Sequence, residues 1–128
     1  MTPDLTKRGV AEPLSFKGYV ASVTLHSDRA EIKRKLMGKA TGAKDAVIPL
    51  QSVVKVLSRD PTRLLNGYVQ LATEQDREHL RMATAEREKA VANNSRTVMF
   101  TWRQRETFMA YLAAARAAVQ AHGSGPAT

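Results

Sequence analysis

The C-terminal part of the chain carries an amphipathic helix that needs another layer of structure to cover it. Its apolar positions recur at spacings of four, three and four, which places them on one helical face: Phe108, Leu112, Ala115 and Val119. Thr101 followed by Gln104 is a capping-box pattern. Gly123 after His122 is a stop signal. We therefore predict a helix from about Arg103 to Ala121 that closes the fold against a sheet.

Short strands are predicted ahead of this helix. The segment 16–25 alternates in side-chain character, with Tyr19 on the same side as Ala21, and is predicted to be one half-buried strand. The turn residues at 27–28 and the alternation over 29–33 complete a hairpin. Further apolar runs predict strands at 47–48, 53–57, 68–73 and 96–100, with Pro49 and the tight-turn dipeptide Asn66-Gly67 between them.

At 128 residues, the chain has room for one domain and one hydrophobic core. We predict a mobile arm over 1–12, a domain over 13–122 with a charged insertion at 74–95, and a flexible tail over 123–128. The insertion is either a loosely packed helix or an exposed excursion, and its weak apolar face favours neither. Its mixed charges could pair with a second copy of the chain, which makes Leu80, Arg81 and Arg87 interface candidates together with Trp102 at the helix start.

The net charge of +8 is concentrated in one region. Six bases and a single acid lie between Arg29 and Lys44, a density that attracts acidic protein, nucleic acid or anionic lipid. The candidate anion- or partner-binding residues are Lys17, Lys33, Arg34, Lys35, Lys39 and Lys44. A solvated, solubilising loop is the simpler interpretation of these side chains. Because the chain lacks cysteine and any long apolar run, we expect a cytoplasmic protein without a transmembrane segment.

No group of residues predicts catalysis, a metal site or a cofactor. The three histidines, His26, His79 and His122, are scattered and are expected at the surface. The glycine-rich stretch 38–44 departs from the phosphate-loop pattern because Ala43 stands where that pattern needs Lys. We therefore expect a chain that is not an enzyme.

Four short motifs occur in an order that resembles the small pleckstrin-homology-like domains of actinobacteria and their phages called the DUF4429 family. They are Gly18-Tyr19, the stretch 48–53 followed by Val56, the stretch 66–71, and the stretch 98–104 closing on Phe108. The resemblance covers roughly 14–119 and implies an α+β fold: a two-sheet antiparallel β-sandwich or barrel of about seven strands, capped by a C-terminal α-helix. It carries no catalytic residue over to this chain.

These observations together predict a non-enzymatic protein-interaction module that forms homo-oligomers and binds an unidentified protein partner. The alternative is a basic nucleic-acid-binding regulator. Nucleic acid and anionic lipid are the less favoured partners. The aromatic side chains that could stack on bases lie where a core or helix face would use them, and the basic residues that could meet lipid are more simply a solvated loop. Binding to nucleic acid that weakens steeply with salt would indicate phosphate contacts and would favour the nucleic-acid-binding alternative over the protein-interaction module.

Overall fold

Seven strands and one long helix make up the secondary structure of the computed structural model, which describes residues 13–35, 45–76 and 94–122. The first sheet has the order β1-β2-β3-β4 and the second β5-β6-β7, and every pairing is antiparallel. The strands are β1 (Leu14–Lys17), β2 (Ala21–Leu25), β3 (Arg29–Arg34), β4 (Ala46–Pro49), β5 (Val53–Arg59), β6 (Gly67–Thr73) and β7 (Thr97–Phe100).

The helix follows the last strand, as predicted. A 3-10 turn (Trp102–Gln104) leads directly into α1 (Arg105–Ala121), and a second 3-10 turn (Leu50–Ser52) joins the two sheets. The Thr101 N–H donates to Gln104 Oε1 at 3.0 Å, as the predicted capping box requires. Two antiparallel sheets with a C-terminal helix confirm the α+β class.

The prediction of one strand over 16–25 is wrong, because the chain reverses at its centre. β1 and β2 are separate strands that pair with each other, with Lys17 opposite Ser22. Gly18 permits the reversal: a Cβ there would lie 2.5 Å from Val98 Cγ1. Val20 takes a left-handed conformation with φ 51°. Tyr19 is consequently 44% exposed and bridges to β7 of the other sheet, a contact that alternation within one segment does not reveal.

The core lies between the sheets and is closed by α1. Phe108, Ala115 and Val119 are buried as predicted, while Leu112 is half-buried at the edge of the core. The largest buried side chain is Tyr111, whose ring centroid lies 5.3 Å from that of Phe16. The buried face of the helix is therefore centred closer to Tyr111 than the spacing predicted, and Leu112 lies at its edge.

β6 is buried on both of its faces. Val69 and Leu71 face the core, and the alternate residue Gln70 is fully buried as well. Gln70 lies opposite Thr97 of β7. Among the described residues, neither the Gln70 amide nor the Thr97 hydroxyl has a hydrogen-bond partner. β6 therefore lacks the solvated outer face that a strand of an antiparallel sheet often presents.

Candidate interaction surfaces

A loop between β5 and β6 presents two leucines to solvent. Leu64 is 93% exposed and Leu65 is 60% exposed. Thr62 fixes their position: its hydroxyl accepts the N–H groups of Leu64 at 3.2 Å and Leu65 at 3.0 Å, and its own N–H donates to the Leu65 carbonyl at 2.8 Å. These bonds form a tight turn of the kind that threonine hydroxyls stabilise. The leucines are thus held outward by a fixed local structure.

Trp102 lies beside this loop and is flanked by two arginines. The Arg105 guanidinium carbon is 4.1 Å from the Trp102 ring centroid, and that of Arg63 is 5.6 Å away. Arg105 also donates to the Trp102 carbonyl at 2.9 Å. Both arginines lie within the range of a cation–π interaction. We call the set Arg63, Leu64, Leu65, Trp102 and Arg105 the apolar tip.

The sequence pointed to Trp102 at the helix start but not to the loop residues of the apolar tip. Arg63, Leu64 and Leu65 stand between Pro61 and the dipeptide Asn66-Gly67, in a stretch where loop residues are ordinarily polar. Two consecutive leucines between turn residues were the available signal. Their proximity to Trp102 depends on the fold, because the two stretches are almost forty positions apart.

The candidate basic residues divide into an exposed set and one inward residue. Lys17, Lys33 and Lys35 are exposed. Ser22 pairs with Lys17 on one side and with Lys33 on the other, so the two lysines lie in one row on the outer face of the first sheet. We call Lys17, Lys33 and Lys35 the lysine row. Lys39 and Lys44 lie outside the described residues.

Arg34 points inward and joins the two sheets. Its Nη2 donates to the carbonyls of Asn94, Ser95 and Thr97 at 3.3, 2.8 and 2.7 Å. Burial lowers the pKa of Arg34, and the Asp45 carboxylate opposes that shift. The inward direction follows from parity, because Arg34 continues the buried series Ala30 and Ile32. The side chain thus forms hydrogen bonds within the domain.

Asp76 forms a buried polar clamp at the base of the predicted insertion. Its side chain is 1% exposed and accepts from Arg96 Nε at 2.8 Å, Arg96 Nη2 at 2.5 Å, Asn94 Nδ2 at 2.8 Å and the Thr73 N–H at 2.9 Å. Burial raises the pKa of Asp76, but these donors outweigh it and hold the pKa below its usual value. The clamp joins residues 76 and 94, on either side of the undescribed stretch 77–93.

Three predicted interface residues, Leu80, Arg81 and Arg87, belong to that stretch and lie outside the described residues, as do the arm 1–12, the residues 36–44 and the tail 123–128. Only Trp102 of the predicted interface set can therefore be placed.

The outer face of α1 carries small side chains. Glu106, Ala110, Ala113 and Ala117 follow one another at spacings of four, three and four, and all are exposed. We call these four residues the alanine stripe. Arg116 is also exposed beside its C-terminal end, and Met109 is 66% exposed beside its N-terminal end. This face is flat enough for close approach of a second helix.

A groove of about 520 Å³ runs between β4 and β5, which are edge strands of the two sheets. Val47 and Val54 contribute exposed apolar surface to it, and Arg96 lies at its wall. Ser52 Oγ donates to the Pro49 carbonyl at 2.6 Å, which occupies one acceptor near the β4 edge. With Pro49 providing no N–H, this edge is poorly suited to strand addition.

The described residues show no cluster of metal ligands. Within 13–35, 45–76 and 94–122, no three His, Asp or Glu side chains are grouped to hold a metal ion. His26 contacts Glu31 at 3.0 Å, and this hydrogen bond, with nearby positive charge, lowers the pKa of Glu31. His122 contacts the Ser27 carbonyl. His79 lies outside the described residues.

No helix in the described part of the chain is long and apolar enough to cross a membrane. Comparison with known proteins returned no matching family model, no matching curated protein and no matching solved structure.

Proposed function

We propose that this chain is a pleckstrin-homology-like, non-enzymatic interaction module that associates with itself through the outer face of α1. The observation that carries this proposal is the exposed alanine stripe, which has a negative residue at one end and a positive residue near the other. The arrangement of four and three antiparallel strands followed by a C-terminal helix agrees with the architecture that the family resemblance implies.

The charges on the stripe favour an antiparallel pair of helices. Glu106 and Arg116 are ten residues apart, a separation of about 15 Å along the axis at 1.5 Å per residue. If two copies cross near the middle of the stripe, Glu106 of each copy lies beside Arg116 of the other. Two-fold symmetry forms this contact twice. Alanines between the charged ends let the helices approach closely.

A charge-reversal series tests the proposed pairing. Glu106→Arg and Arg116→Glu each place like charges together and should shift the protein toward monomer. The double variant restores opposite charges and should recover the dimer. Mass is measured by light scattering over a range of concentrations. Lys33→Glu is the matched control for Arg116→Glu, because it makes the same charge change on the outer face of the first sheet.

A wild-type protein that remains monomeric at high concentration contradicts self-association. Dimerisation that neither single charge reversal weakens would mean that the contact lies outside the alanine stripe. The predicted insertion at 74–95 is then the next candidate for the interface. For that test, residues 77–93 should be replaced by a short Gly-Ser linker. A deletion from Gln75 onward would also remove Asp76 and leave Arg96 without the carboxylate it contacts.

The second candidate function is nucleic-acid binding through the lysine row. Lys17 and Lys33 flank Ser22 on one face of the first sheet, and Lys35 lies two residues beyond Lys33. Such a row can contact phosphates without reading bases. Binding would weaken steeply with salt and would fall in a Lys17→Glu, Lys33→Glu variant. Retention on DNA that is unaffected by this variant would exclude the lysine row as the contact.

A further inference from the structure

We infer that the apolar tip docks on an anionic lipid surface, with Leu64 and Leu65 entering the interfacial region and the arginines meeting lipid phosphates. This inference is independent of the proposed self-association. It begins from the exposure of the two leucines, 93% and 60%, at a loop fixed by hydrogen bonds to Thr62. A protein that keeps two adjacent leucines in water in a fixed turn forgoes the stabilisation that their burial would provide.

The flanking residues match the layers of a membrane interface. Trp102 has an apolar ring and a polar N–H, a combination favoured at the headgroup level. Arg63 and Arg105 lie against that ring at 5.6 and 4.1 Å. Arginine can keep its apolar stem near hydrocarbon while its guanidinium reaches phosphate. The apolar tip therefore combines the two contributions to interfacial binding, apolar burial and attraction to anionic lipid.

Charge argues against a second copy as the occupant of this surface. A two-fold contact through the apolar tip would bring Arg63 and Arg105 of one copy against the same residues of the other, and like charges oppose that approach. A folded acidic protein is a weaker fit than lipid. Protein hot spots are enriched in Trp and Arg but not in Leu, whereas Leu64 is the most exposed large hydrophobic side chain among the described residues.

The single tryptophan of the chain lies in the apolar tip and reports directly on it. The full chain is mixed with vesicles of phosphatidylcholine alone or of phosphatidylcholine with phosphatidylglycerol. Binding is followed by co-sedimentation and by Trp102 fluorescence, including quenching by brominated lipids. We expect co-sedimentation and quenching with anionic vesicles, and weakening of both as salt is raised.

Two pairs of variants separate the contributions. Leu64→Asp should lower the partition coefficient by at least about tenfold. Leu14→Asp is the control, because Leu14 is a similarly exposed leucine, at 53%, on β1. Arg63→Glu should lower the partition coefficient by about fivefold or more. Lys35→Glu makes the same charge change away from the apolar tip and should have a smaller effect. Matching melting curves verify that each variant is folded.

Three results overturn the inference. The first is no binding to anionic vesicles. The second is binding that Leu14→Asp or Lys35→Glu weakens as much as the tip variants do, because this reports attraction by net charge alone. The third is a Trp102 response to an acidic peptide such as polyglutamate with none to vesicles, which would make the apolar tip a protein-docking site. Depth-dependent quenching of Trp102 that is lost in the leucine variant supports docking of the apolar tip on lipid.

Discussion

Replacing Asp76 by Asn tests whether the buried clamp stabilises the domain. The substitution keeps the size of the side chain but removes its charge and turns one acceptor into a donor. Arg96 would then direct two N–H groups, now 2.8 and 2.5 Å from Asp76, at a neutral amide. We therefore expect a loss of stability without loss of the fold.

The magnitude follows from the burial of the two partners. Asp76 is 1% exposed and Arg96 is 20% exposed. Removing one partner of a buried pair costs about 3–5 kcal/mol. The residual exposure of Arg96 allows water to replace part of the interaction, so we expect about 3 kcal/mol. With a urea m value of about 1.5 kcal/mol/M, the unfolding midpoint should fall by about 2 M.

The assay is urea unfolding followed by circular dichroism. Asp60→Asn is the matched control, because Asp60 is exposed in the loop after β5, and its midpoint should move little. A shift for Asp76→Asn no larger than that of Asp60→Asn would refute the argument that the clamp holds residues 76 and 94 together in the folded state.

The pH dependence gives a second check on Asp76. Its folded pKa lies below the ordinary value, so its contribution to stability is present above the unfolded pKa of about 3.9 and is lost as pH falls through the folded pKa. The wild type should therefore lose stability on acidification below about pH 4 more steeply than Asp76→Asn. Equal slopes would mean that Asp76 titrates alike in both states.

Three further changes test the core, each by unfolding midpoint. Phe108→Ala should lower the free energy of unfolding by about 3–5 kcal/mol, because Phe108 is 2% exposed and packs edge to face on Phe100. An unfolding midpoint equal to that of the wild type would mean that α1 does not close the core. Tyr111→Phe should raise the free energy of unfolding by about 1 kcal/mol, since the buried Tyr111 hydroxyl has no hydrogen-bond partner among the described residues. A lower midpoint would indicate that this hydroxyl does form a hydrogen bond in the folded protein. Gly67→Ala should destabilise by about 1–3 kcal/mol, because the new Cβ would overlap the Arg59 carbonyl oxygen. An unchanged midpoint would show that the loop moves to make room for the methyl group.

The candidate surfaces were only partly accessible from sequence. Helical spacing alone places Ala110, Ala113 and Ala117 on one face of the last helix before any contact is known. Parity could have shown Arg34 turning inward with Ile32, yet its local surroundings of Lys33 and Lys35 favoured a basic cluster. Its partners at 94, 95 and 97 are about sixty residues away. No local pattern identifies such carbonyls as acceptors.

The sequence by itself determined the elements whose signals are local. The capping residues Thr101 and Gln104 and the spacing of Phe108 and Val119 specify the C-terminal helix, and the turn at 27–28 specifies the β2–β3 hairpin. The tertiary structure decided the reversal at Gly18, the clamp at Asp76 and the meeting of Trp102 with Arg63. Each of these depends on atoms that come together only after the two sheets pack. Periodicity records which face a residue occupies, whereas its partner on that face is set by packing across the fold.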